Sequence, residues 1–564
     1  MRRGCFMKKI LVPFVGAMLV GNAQAQALSF TNVTFQAGLH TEYYSSPTRH
    51  SLGVVWFDAN NDGYPDILAT NGFDVSGSGL TTPNIYINNQ DGTFTTMNSL
   101  LPVLPNYDFA GALAADYDRD GDVDLFLYTA NEAFFLNSIV DNPLDGPPNL
   151  LLKNMFVESG GLMQAGMFVD VTQAANLMDC PAWMPGVLGD DLTYGCYQTR
   201  SATFLDYNLD GWIDLYVGHM VINRAGSISD PKLDSVGKLA NQDVLYRNNG
   251  DGTFSIDAAA IPTGAITSRS TLVVRSGHLN GDIWPDIYVG HVGNNPFDML
   301  DEDLRDTVLI NNGAGQFVAS QSLIGADTPA AMGIDFGDVN GDGAFDIYIS
   351  DVPNHYANRN NITTIGNTLY LSRGPWYGSN VAWRYGLAND LSWGVNFADF
   401  DLDGKQELFV GAGRENVPSV IYSEVGNKVP GQLQLGTFNV RGSALADYDL
   451  DGDQDLLVIN EGGGLQLYQN NCHRDNHNSL IVELAPSASN ADCIGAKVVL
   501  TTASGQTHVR QIKGGTSSHS QDETKLFFGL GADSAQTVHV HWPVASEQVT
   551  VLSNITGNHI VVSE

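Results

Sequence analysis

The segment Asp338-Val-Asn340-Gly-Asp342-Gly343-Ala-Phe-Asp346 carries oxygen-bearing side chains at positions 1, 3, 5 and 9 and a glycine at position 6. Alternate oxygens on a tight loop suit a hard divalent cation, and calcium takes six to eight of them in a flexible cage. A backbone carbonyl at position 7 can join the set, and the glycine allows the left-handed turn that folds the chain back round the ion. Positions 1 to 6 follow the start of an EF-hand loop. What comes after position 9 is Ile347-Tyr-Ile, a β-branched and aromatic run, so this loop joins two strands rather than two helices.

The spacing recurs along the chain. It gives Asp58, Asn60, Asp62 and Asp66, then Asp116, Asp118, Asp120 and Asp124, then Asp206, Asn208, Asp210 and Asp214. After the copy at Asp338, Asn340, Asp342 and Asp346 come Asp399, Asp401, Asp403 and Glu407, and finally Asp447, Asp449, Asp451 and Asp455. These residues are the candidate metal ligands, and they predict about six calcium sites. A seventh copy, His278 to Asp286, has a histidine for the first acid and Ile283 for the glycine, and is expected to be degenerate.

Loops of this kind must be held by strands. Between them lies a second recurring pattern, a strand, an Asn/Asp-Gly turn and a strand, as in Asn84 to Phe94 and Asp243 to Phe254. Each repeat thus offers about four antiparallel strands. First-acid positions step by 58, 90, 72, 60, 61 and 48 residues, a unit near sixty. The expected fold is all-β: a seven-bladed β-propeller with calcium loops, followed by a small β-sandwich or barrel-like domain. The long step after Asp116 requires an insertion, which contains Cys180 and Cys196. Phe168-Val-Asp-Val-Thr echoes Phe30-Thr-Asn-Val-Thr and places a blade boundary near both.

With 564 residues and a net charge of -35, the chain is long enough for such a ring and a further domain. The acidity argues against nucleic acid and anionic lipid as partners. Residues 1–27 read as a secretory signal: Arg2, Arg3, Lys8 and Lys9, then an apolar run, then Ala-Gln-Ala motifs. No stretch is long enough to span a membrane. The organisation is therefore a signal peptide at 1–27, a propeller at 28–471 and a tail domain at 472–564. The protein is expected to be secreted, periplasmic or attached to the cell surface. Four cysteines remain after cleavage, and an even number in an exported chain implies disulfides, by proximity Cys180–Cys196 and Cys472–Cys493.

The repeats resemble the FG-GAP or VCBS repeats of integrin-type propellers. The tail resembles the ASPIC/UnbV domain through Ile494-Gly-Ala-Lys-Val498, Gly514-Gly-Thr-Ser-Ser-His-Ser-Gln521, Phe528-Gly-Leu-Gly531 and Val540-His-Trp-Pro543. The two together are similar to the cartilage acidic protein family. The resemblance implies a calcium-stabilised propeller, export, and binding or adhesion.

No Gly-x-Ser-x-Gly elbow, phosphate loop or His-Glu-x-x-His helix occurs. Most carboxylates are claimed by the loops, so no catalytic residue is assigned. His539 and His541 alternate on one strand and read as an exposed edge. Five residues beyond position 9 lie Asn71, Thr129, His219, His291, Asp351, Ala412 and Asn460, a mostly polar ring expected where strand ends meet water. The functional expectation is a monomeric calcium-binding protein engaging an extracellular protein or glycan without turnover. The alternative is an enzyme acting on an extracellular glycan or other polymer at the propeller face. No loop follows Asp455, which predicts a tail that folds by itself and ignores chelators.

Overall fold

The computed structural model describes residues 28–39, 53–70, 82–129, 148–178, 199–219, 243–262, 270–292, 306–320, 331–351, 366–472 and 478–564, with short breaks inside the third and tenth of these. The leader, Asn71, His473, His477, Cys180 and Cys196 lie outside the described residues. Thirty-four strands and only short 3-10 turns are found among those described. None of their helices is long and apolar enough to cross a membrane.

Seven sheets form the ring, six of four strands and one of three. In blade 1, β2 (Val54–Phe57), β3 (Asp66–Ala69), β4 (Asn84–Asn88) and β5 (Phe94–Thr96) pair in chain order. The inner strands of the next five blades are β6 (Phe109–Ala115), β10 (Thr199–Leu205), β14 (Ser270–Gly277), β18 (Ala331–Gly337) and β21 (Ser392–Ala398). Blade 7 contains β25 (Val440–Ala446), β26 (Asp455–Asn460) and β27 (Gly464–Asn470). Its outer strand is β1 (Phe30–Asn32), which pairs Phe30 with Asn470 and closes the ring from the other end of the chain. The echo between Phe30 and Phe168 is therefore an echo of outer strands, since β9 (Phe168–Asp170) closes blade 2 in the same way.

Each calcium-type loop joins the first and second strands of its blade, so all seven loops lie on one face of the ring. The inner strands are buried along nearly their whole length, which is why they read as apolar runs rather than alternations.

The tail is a sandwich. β28 (Asn478–Ala485) lies between β31 (Leu526–Gly531) and β34 (His559–Ser563) in one sheet. β29 (Lys497–Thr502), β30 (Thr507–Gln511), β32 (Ala535–His541) and β33 (Val549–Ser553) form the other. Three sequence expectations are corrected here. β32 sits between β29 and β33, so His539 and His541 are not on an edge. Cys472 and Cys493 are both free: Cys493 is buried in the tail core beside Asp492 and Glu564, whereas Cys472 neighbours Asp453 and Asp401 of the ring.

Third, the tail does not stand apart from the ring. Its loop from Gly514 to Glu523 enters the channel and bonds the inner strand of every blade. Gly514 O accepts from Phe204 N at 2.8 Å, and Thr516 O and Ser517 O accept from Arg275 Nη2 at 2.7 and 2.8 Å. Ser517 also takes Ile334 N through its carbonyl and Val395 N through Oγ. Gln521 pairs with Val54 and Trp56 through its backbone and with Ala114 through its amide, and Asp522 takes Leu445 N at 2.9 Å. Thr516 to Gln521 are at most 2% exposed. A run of small hydroxyl residues suits this place, because it fills a narrow bore while offering donors and acceptors to backbone groups left open on six strands and to the Arg275 guanidinium on the seventh.

Candidate metal centres and the covered loop face

In the intact loops the chain winds round the position-1 carboxylate. Asp58 accepts from Asp62 N at 3.1 Å and Gly63 N at 2.8 Å. Asp206 does so with Asp210 N and Gly211 N, and Asp338 with Asp342 N and Gly343 N. Position 6 is left-handed, as at Gly343 with φ 83°, and so is position 4, where Leu209, Leu402 and Leu450 have φ of 53° to 57°. Leucine rarely adopts that conformation, so these three loops hold strained backbone in place. The degenerate copy differs as its sequence suggests: Gly281 is left-handed, and Ile283 is not.

Positions 1, 3 and 9 converge. Oxygens of Asp116, Asp118 and Asp124 lie within 4.8 Å of one another, as do those of Asp399, Asp401 and Glu407 and those of Asp447, Asp449 and Asp455. In the other three intact loops position 3 is asparagine: Asn60, Asn208 and Asn340. Burial pushes the carboxyls of Asp206 and Asp399 up to about 8 and that of Asp116 up to about 7; like charge adds to this, from loop neighbours at the first two and chiefly from Asp492 of the tail at Asp116. Buried oxygens of Asp118, Asp399 and Asp449 have no hydrogen-bond partner. Clustered buried acids with open lone pairs fit a divalent cation, which would supply the missing positive charge.

The position-9 acids have a second task that the spacing did not reveal. One oxygen of Asp66 accepts from Ala59 N at 2.9 Å and the other from Asn88 N at 2.7 Å. The same pair of bonds recurs at Asp124, Asp214, Asp346 and Asp455. It also persists at Asp286, in the copy that has lost its first acid. The asparagine in this arrangement then reaches to the neighbouring blade. Asn248 Nδ2 donates to Tyr117 O at 2.8 Å, and Asn88, Asn154, Asn311 and Asn470 make the corresponding bonds. The repeated Asn of the hairpin motif was the available signal; its reach across blades was not.

Blade 2 has an internal counter-charge. Lys153 Nζ lies 2.5 Å from Asp118, 2.7 Å from Asp120 and 2.9 Å from Glu158.

The tail covers this face. Gly529 N donates to Asp399 Oδ2 at 3.0 Å, Asp116 N to Asp492 Oδ2 at 2.9 Å and Asp447 N to Glu523 Oε1 at 2.5 Å. At the degenerate copy, His278 Nε2 lies 2.7 Å from Gly495 O, and burial pushes its imidazole down to about 4. The histidine that stands in place of the first acid thus makes a domain contact.

On the opposite face, the expected solvent-facing ring is buried. Thr129, His219, His291 and Asp351 are fully buried, and Asn460 and Ala412 nearly so. In blade 3, Asp243 gathers His219 N, Tyr216 Oη–H and Thr271 Oγ1–H, so these positions are structural.

The FG-GAP-like repeat family matches residues 58–127 and 278–349, and the ASPIC and UnbV family matches 486–564. Cartilage acidic protein 1 of Mus musculus is 24% identical over 97% of this chain and 80% of its own length. The Homo sapiens protein of that name is 23% identical over 93% of this chain and 73% of its own length. Among solved structures, rhamnogalacturonan lyase YesW is similar at a TM-score of 0.38 and 13% identity, covering 75% of this chain and 72% of that one. The chain thus carries FG-GAP-like repeats in its propeller and an ASPIC and UnbV domain on its loop face, and it is similar to cartilage acidic protein 1 along most of its length.

Proposed function

We propose that this is an exported calcium-binding propeller that engages an extracellular protein or glycan without turnover. The observation that carries the reading is the convergence of buried loop carboxylates, as at Asp399, Asp401 and Glu407, where Asp399 Oδ1 has no hydrogen-bond partner. About six loops would hold an ion through positions 1, 3, 5 and 9. Calcium would neutralise acids that otherwise repel one another beneath the tail. Its work here is to set the loops, and through them the docking of the tail. The proposed division is a leader at 1–27, the ring at 28–471 and the tail at 472–564. Similarity to cartilage acidic protein 1 supports an extracellular setting.

Isothermal titration of decalcified protein tests the reading. Several tight sites and a higher melting temperature on refilling are expected. Heat uptake that fits no specific site, with unchanged melting, would remove it.

A further inference from the structure

A cleft of about 610 Å³ opens where blade 1 meets the tail. Its size lies in the range of small-ligand sites, and junctions between domains are common places for them. Trp56 and Tyr64 line it from the ring, and Glu483, Asp492, Lys525 and His559 from the tail. Trp56 is 1% exposed, and its indole Nε1–H has no hydrogen-bond partner. At the rim, His559 Nε2 lies 3.2 Å from Glu483 Oε2, and both side chains are nearly half exposed. Lys525 Nζ lies 3.3 Å from Gly63 O, on the lip of the first loop.

We propose that this cleft binds the end of an uncharged carbohydrate chain. The lining mixes carboxylate acceptors at Glu483 and Asp492 with a donor at Lys525. A cation would suit the carboxylates but could offer no acceptor to the ammonium of Lys525. An anion would meet Glu483 and Asp492 and be repelled. A hydroxyl both donates and accepts, so a polyhydroxylated ligand answers both kinds of group at once. The half-buried ring of Tyr64 suits the apolar side of a sugar ring. Walls drawn from both domains would tie occupancy to the docked tail. The proposal rests on the reading of this protein as a binder and gives its ligand a chemical class.

The test uses the mature chain with calcium present and saturation-transfer NMR. The probes are methyl glycosides of glucose, galactose, mannose and xylose, with cellobiose and lactose, and with glucuronate and glucosamine as charged controls. At least one neutral sugar is expected to bind in the millimolar range or tighter, and more tightly than both charged sugars. Glu483→Gln should weaken it roughly tenfold by removing charged hydrogen bonds, and Ala491→Trp, which fills the cleft, should abolish it. Calcium stoichiometry and melting temperature, followed in parallel, certify that both variants are folded. Neutral-sugar binding that both folded variants retain would place the sugar elsewhere and overturn the cleft while leaving the binder reading intact. Absence of any neutral-sugar signal from calcium-loaded protein, or preference for a charged sugar, would overturn the ligand class.

Discussion

Gln521 and Ala114, 407 positions apart, hold each other by two hydrogen bonds: Ala114 N donates to Gln521 Oε1 at 3.0 Å, and Gln521 Nε2 donates to Ala114 O at 2.8 Å. Both residues are buried, so Gln521→Ala would leave an amide and a carbonyl of an inner strand unpaired. Loss of about 3 kcal/mol is expected, from two unsatisfied buried groups. Urea unfolding of the full chain checks it, and a change within error would show that the loop merely fills space.

The same contacts make the ring depend on the tail. Residues 28–471 alone should melt below the full chain and be cleaved faster by protease, because the bore loses its occupant. Equal melting temperatures would return the tail to the status of an appended module.

Strand number and loop position were legible because both follow local spacing: Asp338, Asn340, Asp342 and Gly343 mark a tight acidic loop between two strands without reference to anything distant. The plug was not. Nothing in the spacing of Thr516-Ser-Ser-His-Ser-Gln521 marks it as interior, and only the open backbone groups of strands far away in sequence make it so. The His219 and His291 positions misled for the related reason that polar strand ends can pair with one another. His278 was set aside as a ligand, and its partner Gly495 lies in a domain that spacing alone treated as separate.

The loops should differ in occupancy. Asp342→Ala removes the position-5 ligand of a glycine-bearing loop and should cost one bound ion by native mass spectrometry. His278→Ala should cost none, because His278 faces Gly495 and Ile283 lacks the left-handed turn. An ion lost with His278, or none lost with Asp342, would reverse the assignment.

The asparagine clamp should act without metal. Asn248 Nδ2 bonds Tyr117 O at 2.8 Å and Ile213 O at 3.1 Å, joining blades 2 and 3. Asn248→Ala is expected to lower stability by about 2 kcal/mol while leaving the number of bound calcium ions unchanged. Loss of an ion in this variant would mean that the clamp and the loop cannot be separated.

Ion-free protein should lose stability as pH rises. Burial holds Asp66, Asp206, Asp346 and Asp399 at about 8, whereas an unfolded aspartate titrates at about 3.9. Between those values the native state keeps protons that the unfolded chain has released, so stability falls with increasing pH across the window. His278, pushed down to about 4, and His519, pushed well below its usual range, act in the opposite sense, but only below about pH 6.5, where unfolded histidine is charged. The comparison therefore runs from pH 6.5 to 8 on decalcified protein, and its melting temperature should drop. Bound calcium would take the place of those protons, so the loaded protein should show little or no drop, and the benefit of calcium should grow with pH. Ion-free protein that melts higher at pH 8 than at pH 6.5 would show that the loop acids are already ionised and stabilised by something other than a bound cation.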